Sequence, residues 1–408
     1  MKIFCTFKDT MQQIIQRYQT LLASINHNFE RALTNKINWE NRAIGLKGAR
    51  GTGKSTLLLQ HLKSSQDGEM AIYLSLDDLY FKSTSLVEAG ETFYRNGGRR
   101  LFLDEVHKYP DWHREIKNLY DFYPDLQLVF SGSSILELQK SSVDLSRRVI
   151  FYELTALSFR EFLEFKYGYK FPVYTIEEIQ SNHEEIAREL KQKLDAPLRF
   201  FQEFLTYGSY PFFREGLDDY SYKLQQIINV IIDYDLPEAK EISVSTQNKI
   251  KKLLYILSEA VPFTPNISKL ALQIETTRPI LLEMLHLLEE TRLIRNLRSA
   301  TKGISLMNKP EKILLSNANL IKSLSEKGWN TGNIRETFAL DQLQNAGLKI
   351  THPPKGDFLI NEELLVEIGG KNKNSFQVAH HENHLVFSNE LEIGWGKQVP
   401  LYLLGFLY

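Results

Sequence analysis

Gly48-Ala49-Arg50-Gly51-Thr52-Gly53-Lys54-Ser55 has the spacing G-x-x-x-x-G-K-[ST] of a phosphate-binding loop. Glycines let backbone N–H groups turn inward around phosphate oxygens, and a helix starting at the loop adds partial positive charge. On this reading Gly48, Gly51, Thr52, Gly53, Lys54, Ser55 and Thr56 bind a nucleotide, ATP. Lys54 reaches the β- and γ-phosphates, and the Ser55 hydroxyl ligates Mg²⁺. The flanks agree with the motif. Ala43–Leu46 is a strand-like apolar run ahead of the loop, and Thr56-Leu57-Leu58-Leu59-Gln60 opens a helix behind it.

Phosphate chemistry also needs acid. Leu101-Phe102-Leu103-Asp104-Glu105 places two carboxylates where an apolar strand emerges. Asp104 is expected to hold Mg²⁺ through water, and Glu105 to polarise the attacking water as general base. A further run, Leu126–Phe130, ends in Ser131-Gly132-Ser133-Ser134. From there Ser131 can touch the γ-phosphate or the water, and a plain helix cap is the competing explanation. Arg147 and Arg148, after Asp144-Leu145-Ser146, are candidates to stabilise the charge of phosphoryl transfer, within the chain or across a homo-oligomer. A surface basic pair is the alternative.

The stretches RGTGKSTLLLQ, LFLDEVHKYPDWHREIKNLY, VFSGSS and LSFREFLEF resemble AAA-type P-loop ATPases of bacteria and archaea. RETFALDQL, KGDFLI, EIGGKNK and PLYLLGFLY are similar to the restriction-endonuclease-like C-terminal domain of one subgroup, whose function is unknown. The resemblance runs from about Asn41 to Tyr408. It implies an AAA+-like core, a helical lid, a winged helix and an endonuclease-like end domain, with ATP and Mg²⁺. It names no client, protein or nucleic acid. The matching motifs carry nucleotide and metal binding to Gly53, Lys54 and Ser55, and metal coordination and hydrolysis to Asp104 and Glu105. Ser146 stands where the family's arginine motif commonly has glycine.

Endonuclease-like sites pair an Asp and a Glu on neighbouring strands with a Lys two residues after the Glu. Asp357 and Glu367 fit such a hairpin, with Glu336 on the preceding helix as a third ligand. The lysine position is Gly369, and Lys371 lies two residues beyond it. Two extra strand residues move a side chain about 7 Å, so the expected site is degenerate, with no nuclease activity or very weak activity.

These groups need elements to hold them. Between about 42 and 155 the runs Ala43–Leu46, Ala71–Leu76, Leu101–Leu103, Leu126–Phe130 and Val149–Tyr152 alternate with helical stretches. That alternation predicts an α/β fold with a parallel sheet covered on both faces. An amphipathic helix is expected over 11–33. Helices dominate 156–246, a helix-turn-helix with a wing fits 247–328, and one helix with several strands fits 329–408; with 1–155 these are the four expected domains. In the third, strands are expected at Ile304–Met307 and Lys312–Leu315, and Thr276-Thr277 is expected to cap a helix. Arg292, Arg295, Arg298, Lys302, Lys309 and Lys312 suit phosphate-backbone contact across 291–312; docking against the rest of the chain is the slightly favoured alternative.

Composition narrows the partners. Among 408 residues, 49 Lys and Arg face 50 Asp and Glu, so no global basic field draws the chain to nucleic acid or anionic lipid. Cys5 is the sole cysteine, which excludes an internal disulfide and a cysteine-based zinc site. No apolar run approaches membrane-spanning length, and the expected location is the cytoplasm. His107 and His113 read as surface positions, and His380-His381-Glu382-Asn383-His384 as a solvated turn.

Overall fold

The computed structural model describes the chain except residues 1, 27, 66–67, 134–144, 146, 260–264, 300–308, 326–327 and 371–380; of residues 2–11 and 69 it describes the backbone alone. The chain divides into two compact units, 1–155 and 156–408.

The first unit begins with α1 (Lys2–Ser24). It starts earlier and stops sooner than the expected 11–33. The Asn26 side chain accepts from the Asn28 N–H at 2.9 Å, an Asx turn that competes with further helix. Five strands follow: β1 (Ala43–Lys47), β2 (Ala71–Ser75), β3 (Arg100–Asp104), β4 (Gln127–Ser131) and β5 (Ile150–Glu153). α2 (Lys54–Ser64), α3 (Leu86–Arg95) and α4 (Trp112–Phe122) connect them. All neighbouring strands pair in parallel, in the order β2-β3-β4-β1-β5. Strands covered on both faces read as continuous apolar runs, which is why the sequence marks them so plainly. Ile44, Leu101, Phe102, Leu103, Leu128, Val129 and Phe130 are fully buried in this core.

The order matters for the site. β4 lies between the strand that feeds the phosphate loop and the strand that carries the carboxylates. Its C-terminal tip, Ser131, therefore emerges between the two.

The second unit opens with helices. α5 (Phe159–Tyr167) and α6 (Ile176–Leu194) each start in a capping box, Ser158/Glu161 and Thr175/Glu178. α7 (Pro197–Glu203) runs into a π-turn at Phe204–Gly208, and α8 (Tyr220–Val230) into another at Ile231–Asp235. α9 (Val244–Glu259), α10 (Ile267–Gln273) and α11 (Arg278–Glu290) precede an antiparallel ribbon of β6 (Ile294–Leu297) and β7 (Lys312–Leu315). Residues 304–307, where a strand was expected, lie outside the described residues. β6 escapes the apolar pattern because Arg295 and Asn296 interrupt it; Asn296 is buried and bonds Glu289 and the Leu285 carbonyl. Asn266 caps α10 through its bond from the Lys269 N–H, but Thr277 makes no side-chain cap on α11.

After α12 (Ala318–Leu324) and α13 (Thr331–Asn345) comes a second sheet. It holds β8 (Ile350–Thr351), β9 (Phe358–Ile360), β10 (Leu364–Gly369), β11 (His384–Ser388) and β12 (Gln398–Pro400), in the order β12-β11-β10-β9-β8. β8 to β10 are antiparallel; β10 to β12 are parallel. His384 opens β11 and is buried, so the histidine-rich stretch is not wholly a solvated turn.

Asn319 on α12 holds the first π-turn. Its amide donates to the Phe204 and Leu205 carbonyls at 3.1 and 3.0 Å. Its Oδ1 accepts from the Ser209 N–H at 2.8 Å and the Tyr220 hydroxyl at 2.6 Å. A π-turn breaks the regular carbonyl ladder, and one fully buried amide repairs it. Asn319→Ala strands several buried groups and is expected to cost about 3 kcal/mol, measurable by urea unfolding.

Candidate nucleotide site

The loop between β1 and α2 has the backbone its glycines permit. Gly51 and Gly53 have φ of 83° and 94°, where a side chain is strained. At Gly48 the reason is space, because a Cβ would sit 2.3 Å from the Leu154 carbonyl oxygen. Thr52 Oγ1 donates to the Ala49 carbonyl at 2.9 Å. Lys54 lies over the loop, its Nζ donating to the Gly48 and Ala49 carbonyls at 2.9 and 3.0 Å. Arg31 clamps the loop from outside, bonding the Thr52 and Thr155 carbonyls at 2.8 and 2.9 Å. Nothing in the local sequence marks Arg31 for this task, since its partners are 21 and 124 residues away.

Asp104 ends β3 and is buried. Ser131 Oγ donates to its Oδ1, and the Tyr73 hydroxyl donates to its Oδ2 at 2.5 Å. Each oxygen keeps a lone pair for a metal-bound water. One carboxylate, the Ser55 hydroxyl, phosphate oxygens and water form the oxygen donor set that suits Mg²⁺. Among the described residues no three His, Cys, Asp or Glu side chains are grouped to hold a metal by themselves. The residues therefore fit an ion shared with a nucleotide.

Glu105 follows in a left-handed conformation, φ 52°, ψ 36°, uncommon for a residue with a side chain. Burial pushes its carboxyl pKa above the usual range; Lys54 and Arg50 pull it down, while Asp104 and Asp77 push it further up. His107 is not on the surface as expected. The short turn after β3 tucks its side chain in, 7% exposed, with Nε2 at 3.4 Å from Glu105 Oε2. The Ser133 N–H donates to His107 Nδ1 at 3.5 Å.

The arginines lie elsewhere. Arg148 grips Asp121 near the end of α4 with bonds of 2.8 and 3.0 Å, and its guanidinium faces Tyr120. It precedes β5, whose Ile150 pairs with Ile44. By that register it sits at the edge of the sheet opposite the loop, roughly 15–20 Å away at ~3.3 Å per residue. Arg147 is exposed beside it. Held on Asp121, Arg148 lies away from the phosphate loop of its own chain. Ser134, Asp144 and Ser146 lie outside the described residues.

The second unit gathers Glu336, Asp357 and Glu367. Phe358 pairs with Val366, which sets Asp357 opposite Glu367, and Asp357 Oδ2 accepts from the Ile368 N–H at 2.8 Å. Lys371 lies outside the described residues. The cation among these carboxylates is Lys312, on β7, bonded to Glu336 Oε2 and to Asp357 Oδ1 at 3.2 Å. Burial lowers the Lys312 pKa, but Glu336 and Asp357 outweigh it and hold the amine above its ordinary value. Burial and Asp357 push Glu336 up to about 7, against the pull of Lys312.

This placement favours docking over phosphate contact for the basic residues of 291–312. Lys312 is buried, Arg295 is bound to Asp341 at 2.5 Å and to Gln344 and Asn345, and Arg298 to Glu289 at 2.8 Å. Their charges are met by carboxylates inside the unit, as docking requires. Lys309 is exposed, and Lys302 lies outside the described residues.

The parallel sheet, the glycine loop at the start of α2 and the acidic end of β3 define the class as an α/β P-loop NTPase fold. Residues 40–163 match a sequence family described as AAA domain, which supports a nucleotide-binding core of AAA type. The chain is 25% identical over 414 residues to an uncharacterized protein of Methanocaldococcus jannaschii, covering 93% of this chain and 87% of that one. Among solved structures, the Aeropyrum pernix ORC1 protein in complex with DNA aligns with a TM-score of 0.30 and 12% identity, over 76% of this chain and 91% of that one. AMPPCP-bound DnaA from Aquifex aeolicus aligns with a TM-score of 0.28 and 18% identity, over 63% and 84%. No helix among the described residues is long and apolar enough to cross a membrane.

Proposed function

We propose that the chain is an ATP-binding, Mg²⁺-dependent ATPase of AAA type, in which nucleotide state drives movement of the second unit on an unidentified client. The observation that carries the reading is the convergence of Lys54, Asp104, Glu105 and Ser131 at one edge of the sheet, with Ser131 bonded to Asp104. Mg²⁺, when bound with ATP, neutralises phosphate charge. Lys54 adds a positive charge over the loop, Glu105 takes the proton of the attacking water, and Ser131 orients the metal carboxylate. The test is ATP turnover by the full chain, with Mg²⁺ and in EDTA; no turnover in Mg²⁺ sinks the reading.

Arg147 and Arg148 are proposed to act in a neighbouring copy. ATPase rate per chain should then rise with protein concentration, and Arg147→Ala mixed with Lys54→Ala should regain activity. A flat rate per chain from a monomer, by light scattering, removes the finger assignment.

A slow-turnover ATP switch is the second reading. It draws on His107, whose buried ring stands 3.4 Å from Glu105 Oε2, the carboxylate proposed to take the water's proton. Nucleotide retained through purification with negligible hydrolysis would favour it. An ATP-gated nuclease is the weaker alternative, because an ammonium stands between Glu336 and Asp357.

A further inference from the structure

We propose that Tyr73 is a positioning residue for the metal site: its phenol fixes Asp104 and thereby sets the Mg²⁺ affinity of the nucleotide-bound protein. The proposal rests on the nucleotide-site reading above.

Tyr73 lies on β2, the strand beside β3, where Ser75 pairs with Asp104. Residues two apart in a strand share a face, so Tyr73 and Asp104 lie on the same side of the sheet. The phenol hydroxyl reaches Asp104 Oδ2 at 2.5 Å, while Ser131 takes Oδ1 from the other side. Three adjacent strands thus fix one carboxylate. The ring itself is held: it is 7% exposed and stacks on Tyr18 of α1, with centroids 6.0 Å apart and planes 17° apart.

A buried hydroxyl donating to a carboxylate makes a short, charge-assisted bond. The Ser55 hydroxyl also faces the phenol, so Tyr73 stands between the two protein groups expected to serve the ion. Without the phenol, one Asp104 oxygen loses its anchor in a buried site. The carboxylate can then rotate away from the position where metal-bound waters meet it.

A tyrosine serving only as core filling would affect stability and leave metal dependence alone. The experiment separates these roles. Binding of a fluorescent ATP analogue to the full chain is titrated in EDTA and across a Mg²⁺ series, for the parent and Tyr73→Phe, which keeps the ring. The expected result is affinity in EDTA within about twofold of the parent and a half-saturating Mg²⁺ concentration raised at least threefold. Bound Mn²⁺ followed by electron paramagnetic resonance should show the same shift. Tyr18→Ala, which loosens the ring but keeps the phenol, should move the Mg²⁺ series in the same direction by less. Equal weakening in EDTA and Mg²⁺, or a Mg²⁺ series matching the parent, overturns the proposal alone. A parent chain that binds no nucleotide overturns the nucleotide-site reading and this proposal with it.

Discussion

Glu105→Gln is expected to keep nucleotide bound and to slow hydrolysis about 10²–10⁴-fold, the usual contribution of a positioned proton acceptor. An amide of the same shape cannot take the water's proton, while Lys54, Ser55 and Asp104 keep their places. Lys54→Ala should instead lose nucleotide binding, because it removes the ammonium that lies over the loop. The two variants therefore separate in a binding assay and coincide in a turnover assay. The pH profile adds a second check. Glu105 must be deprotonated to act, and burial raises its pKa. Activity should rise with pH on an acid limb lying above the ordinary carboxylate range, and Glu105→Gln should lack that limb. Turnover by Glu105→Gln at the parent rate would remove Glu105 from the mechanism.

Lys312→Met should destabilise the second unit by about 3–5 kcal/mol, the typical cost of removing one partner of a buried ion pair. Lys312 is the ammonium among Glu336, Asp357 and Glu367, and Glu367 is itself buried. Methionine fills similar space but leaves these carboxylates to repel each other. The loss should be smaller at pH 5 than at pH 8. Glu336 has a raised pKa in the folded state, so the fold takes up a proton there as pH falls, and the repulsion eases. Urea unfolding at the two pH values measures the loss, and hydrogen exchange at the α13 and β10 amides locates it. A loss under about 1 kcal/mol, the level of an exposed pair, would mean that Lys312 is a bystander to the cluster.

The phosphate-contact reading of 291–312, the less favoured of the two, shows why composition misleads over short windows. Six basic residues with a single acidic one between them look like a binding face, because sequence proximity displays charges of one sign together. The carboxylates that meet them are distant in the chain. Arg295 finds Asp341 46 residues on, and Lys312 finds Glu336 and Asp357 24 and 45 residues on. Arg298 pairs with Glu289 nine residues back, just outside the window. His107 errs the other way: polar residues after a strand read as surface, yet the turn at Val106–Lys108 folds this side chain beneath Glu105.

The chain's own residue pattern sets the first unit's strands and its loop. A parallel sheet buried on both faces must be written in continuous apolar runs, and a phosphate loop must carry glycines where φ is positive, at Gly51 and Gly53. It also determined the helix starts at Ser158, Thr175 and Asn266, because a cap and its partner lie within three residues. Sheet order sets which strand stands between β1 and β3, and so why Ser131 meets Asp104. The three-dimensional fold alone brings Tyr73 to Asp104, Arg31 to the loop and Lys312 to the second cluster. Local chemistry leaves a periodic mark in the chain. Pairings across strands and between distant segments leave none, since they depend on sheet order and register, which the whole fold sets at once.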